Sequence, residues 1–142
     1  MLPQQFETML ALDSCTLIGT LRSPKLARKI LRLFNGTHSR IVLQDVVIKE
    51  AQKILHLSRE EIIERISSLL RKEVFVFVTT EKMRIKAQEL ENQYHVCHYP
   101  DSIILTAAKM FSWTILTLDR NMLRAADFEG ILAFNPMKAR GN

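Results

Sequence analysis

Two apolar, β-favouring stretches of this chain run straight into a carboxylate. Met9–Leu12 is followed by Asp13, and Trp113–Leu118 by Asp119. Inside a strand a carboxylate needs burial with a partner, whereas just beyond the strand's carboxyl end it stays near solvent. In an open parallel sheet, ligands bind in the crevice outside those carboxyl ends, so Asp13 and Asp119 would share one edge. Glu50 falls one to two turns into the helix predicted after the second strand, where it can face the same edge. Asp101 follows Pro100 and opens the helix before the Asp119 strand, with its charge at a helix N-terminus. Each acid also has an ordinary reading. Asp13 and Asp119 make good helix caps, Asp101 is a favourable charge in a first turn, and Glu50 could be a solvated helix residue.

Taken together, the four acids pose an electrostatic problem. Two like charges about 6 Å apart cost roughly 3 kcal/mol at an effective dielectric near 20, and several such pairs rival a whole domain's stability of about 5–15 kcal/mol. Protonation, spacing through water or a cation must relieve the repulsion. Oxygen donors of this hardness suit Mg²⁺ or Mn²⁺. One or two such ions beside a phosphodiester can polarise it and lower the pKa of a water.

The rest of the chain is compatible with an anionic substrate. Lys and Arg number 20 against 15 Asp and Glu, for a net charge of +5 and a pI near 9.5, which favours nucleic acid among partners. Lys25, Arg28, Lys29 and Arg32 follow i, i+3, i+4, i+7 spacing and form a basic stripe, either a solvated helix face or a track for an RNA backbone. Trp113 and the phenylalanines fall on apolar faces and read as core. The stretch "HVCH" carries soft ligands in His95, Cys97 and His98, but a closed zinc site takes four, usually in two pairs. Cys15 and Cys97 are too few for a disulfide framework and suit a reducing compartment. No phosphate-binding glycine loop or nucleophile elbow occurs, and only four glycines are present.

The elements that must position the acids alternate. Strands are expected at Met9–Leu12, Arg40–Leu43, Val74–Val78, Trp113–Leu118 and Ile131–Phe134. Helices are expected at Pro24–Phe34 (Ala27, Ile30, Leu31 and Phe34 inward), Asp45–Leu57 (Val46, Val47, Ile54 and Leu55 inward) and Arg59–Arg71. Three more are expected at Glu81–Tyr94, Asp101–Ser112 and Arg120–Ala126. Ser58 and Glu61 have capping-box spacing. Asp45 reads as a helix N-cap and Asp127 as surface. The uninterrupted "VFVFV" run predicts a strand covered on both faces. Alternation of this kind implies an α/β domain with a mostly parallel sheet. At 142 residues one domain over 1–142 is expected, with its core at 8–136 and a loose tail at 137–142. No apolar run approaches the ~20 residues of a membrane helix, and the first residues lack a signal-peptide pattern. The expected location is the cytoplasm.

The segments "LALDSCTLI", "IVLQDVVIKEAQ", "PDSIILTAA" and "TILTLDRNML", with their acids in the order Asp13, Glu50, Asp101, Asp119, resemble the PIN domain over about Met9–Pro136. The resemblance implies a three-layer α/β/α fold with a central five-stranded sheet. It implies a Mg²⁺- or Mn²⁺-dependent ribonuclease whose four acids hold the metal, with Ser14 and Thr117 as supporting hydroxyls. A VapC-like toxin with an antitoxin partner and a homodimeric state is the first reading. An RNA-processing nuclease, or an inactive fold that binds RNA or protein, are the alternatives. Some family members carry a further acid after the last one, where this chain has Arg120 and Asn121.

Overall fold

A computed structural model describes residues 7–93 and 99–138. Among these residues the chain forms, in order, β1 (Thr8–Leu12), α1 (Ser14–Arg22), α2 (Pro24–Phe34), β2 (Ser39–Gln44), α3 (Asp45–Leu55) and α4 (Arg59–Leu70). There follow β3 (Val74–Phe77), α5 (Glu81–Gln93), α6 (Asp101–Phe111), β4 (Thr114–Leu116), α7 (Arg120–Phe128) and β5 (Ala133–Phe134). The five strands make one sheet in the order β3-β2-β1-β4-β5, and every neighbouring pair is parallel.

The strand order dictates the layers. From β1 through β2 to β3 the chain steps one way across the sheet, and the right-handed crossover rule puts the connecting helices α1–α4 on one face. The remaining connections step the other way, so α5–α7 cover the opposite face. The packing agrees: α1, α2, α3 and α4 contact one another, whereas α5 packs on α6 and α6 on α7. The three-layer α/β/α arrangement therefore matches the sequence expectation. Its core includes the fully buried Leu10, Leu12, Leu17, Ile41, Leu43, Ile62 and Ile103. No helix among the described residues is long and apolar enough to cross a membrane.

The structure corrects several local expectations. Helix α1 was not foreseen. Its sequence "SCTLIGTLR" contains Thr16, Ile18, Gly19 and Thr20, all weak helix formers. It is held instead by the Asp13 cap at its start and by close packing on α2, where a side chain at Gly19 would stand 3.0 Å from Leu26 Cδ2. Strand β3 is an edge strand rather than one covered on both faces, with Phe75 48% and Val78 67% exposed. Arg40 lies over the Phe75 ring at 5.8 Å. Phe111 and Phe128 are also exposed, while Trp113 is buried and packs edge-on against Phe77 and stacked on Phe111.

In α3 the buried residues are Val46, Val47, Ile48 and Ala51, and Ile54 points to solvent. Helices α3, α4 and α6 end earlier than expected because His56, Arg71 and Ser112 take the left-handed cap conformation, a stop that glycine usually signals. The Ser58–Glu61 capping box forms as read, and Asp127 is exposed. Of the expected loose tail, Met137 packs against the core, and 139–142 lie outside the described residues. So do Tyr94 and the His95, Cys97 and His98 cluster.

Asp45 is not the cap of α3 but its first residue. One of its oxygens accepts from Thr79 Oγ1 at 2.6 Å, Thr79 N at 3.1 Å and its neighbour Val46 N at 2.9 Å. This brace ties the segment after β3 to the start of α3. Because the acceptor is charged, we expect Asp45→Ala to lose about 1.5–3 kcal/mol of stability in urea unfolding. Thr79→Val made in the same background should then add little, since both changes remove the same bonds.

Candidate active site at the carboxyl edge of the sheet

The connections from β1 and β4 leave to opposite faces, α1 on one and α7 on the other. A crevice opens where the strand order reverses, at the carboxyl ends of these two neighbouring strands. Asp13 and Asp119 flank it, and three helices begin there: α1 after Asp13, α6 at Asp101 and α7 after Asp119. The positive ends of the three helix dipoles partly offset the acids gathered beside them.

Asp13 is only 2% exposed. Its Oδ1 accepts from Thr16 N at 2.9 Å, capping α1. Its Oδ2 accepts a short bond from the Thr117 hydroxyl, across the gap between β1 and β4. Thr117 Oγ1 in turn accepts from Asp119 N at 3.0 Å, so one fully buried hydroxyl joins the Asp13 carboxylate to the Asp119 backbone. Asp119 caps α7 by accepting from Asn121 N at 2.9 Å. The capping reading of Asp13 and Asp119 is thus correct, and it coexists with their place at the crevice. Burial raises the pKa of the Asp13 carboxyl above its ordinary value. The bonds from Thr117 and Thr16 oppose that shift, and the charge of Asp119 adds to it. The Thr16 hydroxyl lies close enough to favour the Asp13 charge without reaching hydrogen-bond geometry, and so has no partner.

Asp101 opens α6 and is half-buried. Burial first, then the charges of Asp13, Asp119 and Glu50, push its pKa up to about 7. Glu50 reaches the group from the second turn of α3. Its influence on Asp101 is the smallest of the three, and it does not figure among the causes at Asp13. The exposed Cys15 thiol is raised by burial and then by all four acids, which places it on the rim of the same cluster. Asp101 is therefore within electrostatic reach of Asp13, Asp119 and Glu50, and Asp13 within reach of Asp119. Among the described residues no cation contributes to the shifts at Asp13 or Asp101. No three His, Cys, Asp or Glu side chains among them are gathered tightly enough to ligate one ion all together.

Of the supporting hydroxyls, Thr117 is engaged as described. Ser14 is buried at the first position of α1, its Oγ without a partner. Lys25, Arg28 and Arg32 are exposed and Lys29 is half-buried on the outer face of α2, apart from the causes that shift the acids. Two participants escaped the sequence reading. Ser102, buried beside Asp101, donates to Glu91 Oε2 at 3.0 Å, a pairing between two helices that no local pattern announces. Gln44 ends β2 and is 2% exposed, with neither amide atom partnered. The signal that found Asp13 and Asp119, an apolar run ending on a polar residue ("IVLQ"), was present there too.

The acids thus stand at the switch point of a parallel α/β sheet, where ligands of such folds bind. The PIN domain profile matches residues 10–128, and the chain belongs to the PIN domain family, whose members are generally nucleases. Among solved structures, the fold is similar to one in the VapBC2 complex of Rickettsia felis bound to a DNA fragment from its promoter. That match has a TM-score of 0.65 and 13% identity, and it covers 90% of this chain and 98% of the other. The fold is also similar to one in FitAcB from Neisseria gonorrhoeae, with a TM-score of 0.60, 19% identity and coverage of 92% and 100%. A third likeness is to PAE2754 from Pyrobaculum aerophilum, with a TM-score of 0.59, 12% identity and coverage of 90% and 92%. A comparison with curated proteins gives no match.

The raised Asp101 pKa carries a sign that can be tested. Between about pH 4 and 7 the folded protein holds a proton on Asp101 that the unfolded chain releases, so stability falls as pH rises through that window. In EDTA, Asp101→Asn should melt a few degrees above wild type at pH 7.5. The gap should close toward pH 4, where the wild-type carboxyl is protonated in both states. Thermal melts across that range check it.

Proposed function

We propose that this protein is a metal-dependent endoribonuclease of the VapC-like toxin kind, restrained by an antitoxin. The reading is supported by the Thr117 hydroxyl, which links the Asp13 carboxylate to the Asp119 backbone, and by the charges of Asp13, Asp119 and Glu50 acting on Asp101, with no cation among the described residues contributing to the shifts at Asp13 and Asp101. All four would offer hard carboxylate oxygens, and Thr117 holds that of Asp13. That donor set fits Mg²⁺ or Mn²⁺, ions that keep several waters and bind through a few carboxylates plus substrate phosphate. Such spacing is compatible with acids that are electrostatic neighbours rather than a closed cage. When bound, the ion supplies charge that polarises the phosphodiester and lowers the pKa of a water.

The chain's own residues do the positioning. Thr117 and Thr16 hold Asp13 in one orientation. The start of α7 fixes Asp119. Asp101, with its pKa near neutrality, can give up its proton when a cation arrives. The VapBC2 and FitAB structures contain a protein pair on DNA, and by analogy of fold a small DNA-binding antitoxin is the proposed partner. A homodimer acting in the cytoplasm as one domain belongs to the same proposal.

Cleavage of single-stranded and structured RNA with Mg²⁺ or Mn²⁺ tests the mechanism. Asp13→Asn and Asp119→Asn should each lower the rate about 100-fold or more, the scale of losing a group that stabilises the transition state, and EDTA should abolish it. Equal rates for all three proteins would remove the mechanism.

The α2 stripe offers a separate check. Replacing Lys25, Arg28 and Arg32 together with alanine should weaken RNA binding irrespective of sequence. It should also flatten the dependence of log K on log salt by about 0.7 for each lost single-strand phosphate contact. An unchanged slope would return the stripe to the role of a solvated helix face.

A further inference from the structure

Gln44 sits in the one cross-sheet row that also carries the crevice. In the β1–β4 pairing Leu12 lies beside Leu116, and one step further on Asp13 meets Thr117, as their hydrogen bond attests. In the β1–β2 pairing Ala11 lies beside Val42, and extending that register two steps past the paired residues sets Asp13 opposite Gln44. Gln44 is itself in register with Phe77 of β3. Residues of one row emerge on the same side of a parallel sheet. The register therefore puts Thr117 on one side of Asp13, as their bond shows, and Gln44 on the other.

Thr117 is fully engaged, donating to Asp13 and accepting from Asp119. Gln44 makes no such bond. Its Oε1 and Nε2 are both buried and both without a partner among the described residues. A buried primary amide has two donors and an acceptor to satisfy, and folded proteins rarely leave such atoms unpaired. An apolar residue would fill the same space at the end of an apolar strand without that cost. The hydroxyls of Ser14 and Thr16, on the first turn after Asp13, are likewise buried without a partner among the described residues.

We infer that Gln44 is a positioning residue of the crevice: its amide completes its hydrogen bonds with the hydration shell of the divalent ion bound by the acids, on the side of Asp13 opposite Thr117. The inference rests on the proposed metal site. The amide can accept from and donate to ordered water at once, which a carboxylate cannot, and it does so without adding a fifth negative charge. It therefore holds the ion's water in one orientation while leaving the charge balance of the acids unchanged.

The test uses the full chain and Mn²⁺ as the probe, with calorimetric or paramagnetic-resonance titration of binding and thermal melts in EDTA. Gln44→Met and Gln44→Leu keep the volume and remove the amide. Both should melt in EDTA at or above the wild-type temperature, because an unsatisfied group is gone, yet bind Mn²⁺ about 10-fold more weakly, the usual scale for groups that orient a metal's surroundings. Phe77→Leu, which loosens the same row without touching an amide, should keep wild-type Mn²⁺ affinity.

Wild-type affinity in both Gln44 variants overturns the inference. So does an equal loss in Phe77→Leu, which would make the effect one of packing. If wild type binds Mn²⁺ and Asp13→Asn does not, while the Gln44 variants bind normally, only the role of Gln44 fails. If wild type itself binds no Mn²⁺, the metal site and the inference fall together.

Discussion

The structure turns on one buried carboxylate. Asp13 leaves β1 with almost no exposure, and a lone charge in that position would be prohibitively unfavourable. It is tolerated because Thr117 donates to one oxygen, Thr16 N donates to the other, and the N-terminus of α1 points at it. Each support belongs to a different level of the fold. The Thr16 bond is local and starts a helix whose own propensity is poor. The Thr117 bond spans 104 positions and exists only because β4 pairs beside β1. Through Thr117 the same contact reaches the Asp119 backbone, so strand register, helix start and acid placement are one constraint.

Topology explains why the acids meet at this edge. The chain steps from β1 to β3 in one direction and covers one face with α1–α4, then reverses and covers the other with α5–α7. The reversal parts the helices above the β1–β4 boundary and leaves three helix N-termini around the opening. That is a favourable place for negative charge, but the field of three dipoles does not cancel four acids: burial and its neighbours still push Asp101 up to about 7. Among the described residues, the buried polar side chains left without a partner are those of Gln44, Ser14 and Thr16.

Charge elsewhere is arranged differently. Arg40 bridges Glu7 and Glu73 at 3.1 and 3.4 Å, and Lys72 Nζ donates to the Phe34 and Thr37 carbonyls at 2.9 and 3.2 Å, closing the carboxyl end of α2. These contacts lie at the opposite, amino edge of the sheet, where β1 and β2 begin. The molecule thus pairs its charges at one end and concentrates uncompensated acids at the other.

Much of this was legible from the amino acids. Alternation of apolar runs with helical periods gave the α/β class, and α2 falls at Pro24–Phe34 as read because proline, Ser23 and a 3.6-residue apolar period all agree. The four acids could be named because three of them stand at strand or helix boundaries, where side-chain placement follows from the element. What sequence could not supply were features owed to partners far along the chain. Helix α1 forms against its own propensity. β3 is an edge strand despite an uninterrupted apolar run, since strand order is a property of the whole sheet. Ile54 is exposed because α3 turns its Ile48 and Ala51 face inward. Gln44 is buried with its amide unpartnered among the described residues, a state that no local pattern announces. Residue type and local period determined which groups were available for chemistry. Only the register of β1 with β2 and β4 decided which of them share a crevice, because that contact joins residues whose separation carries no local signal.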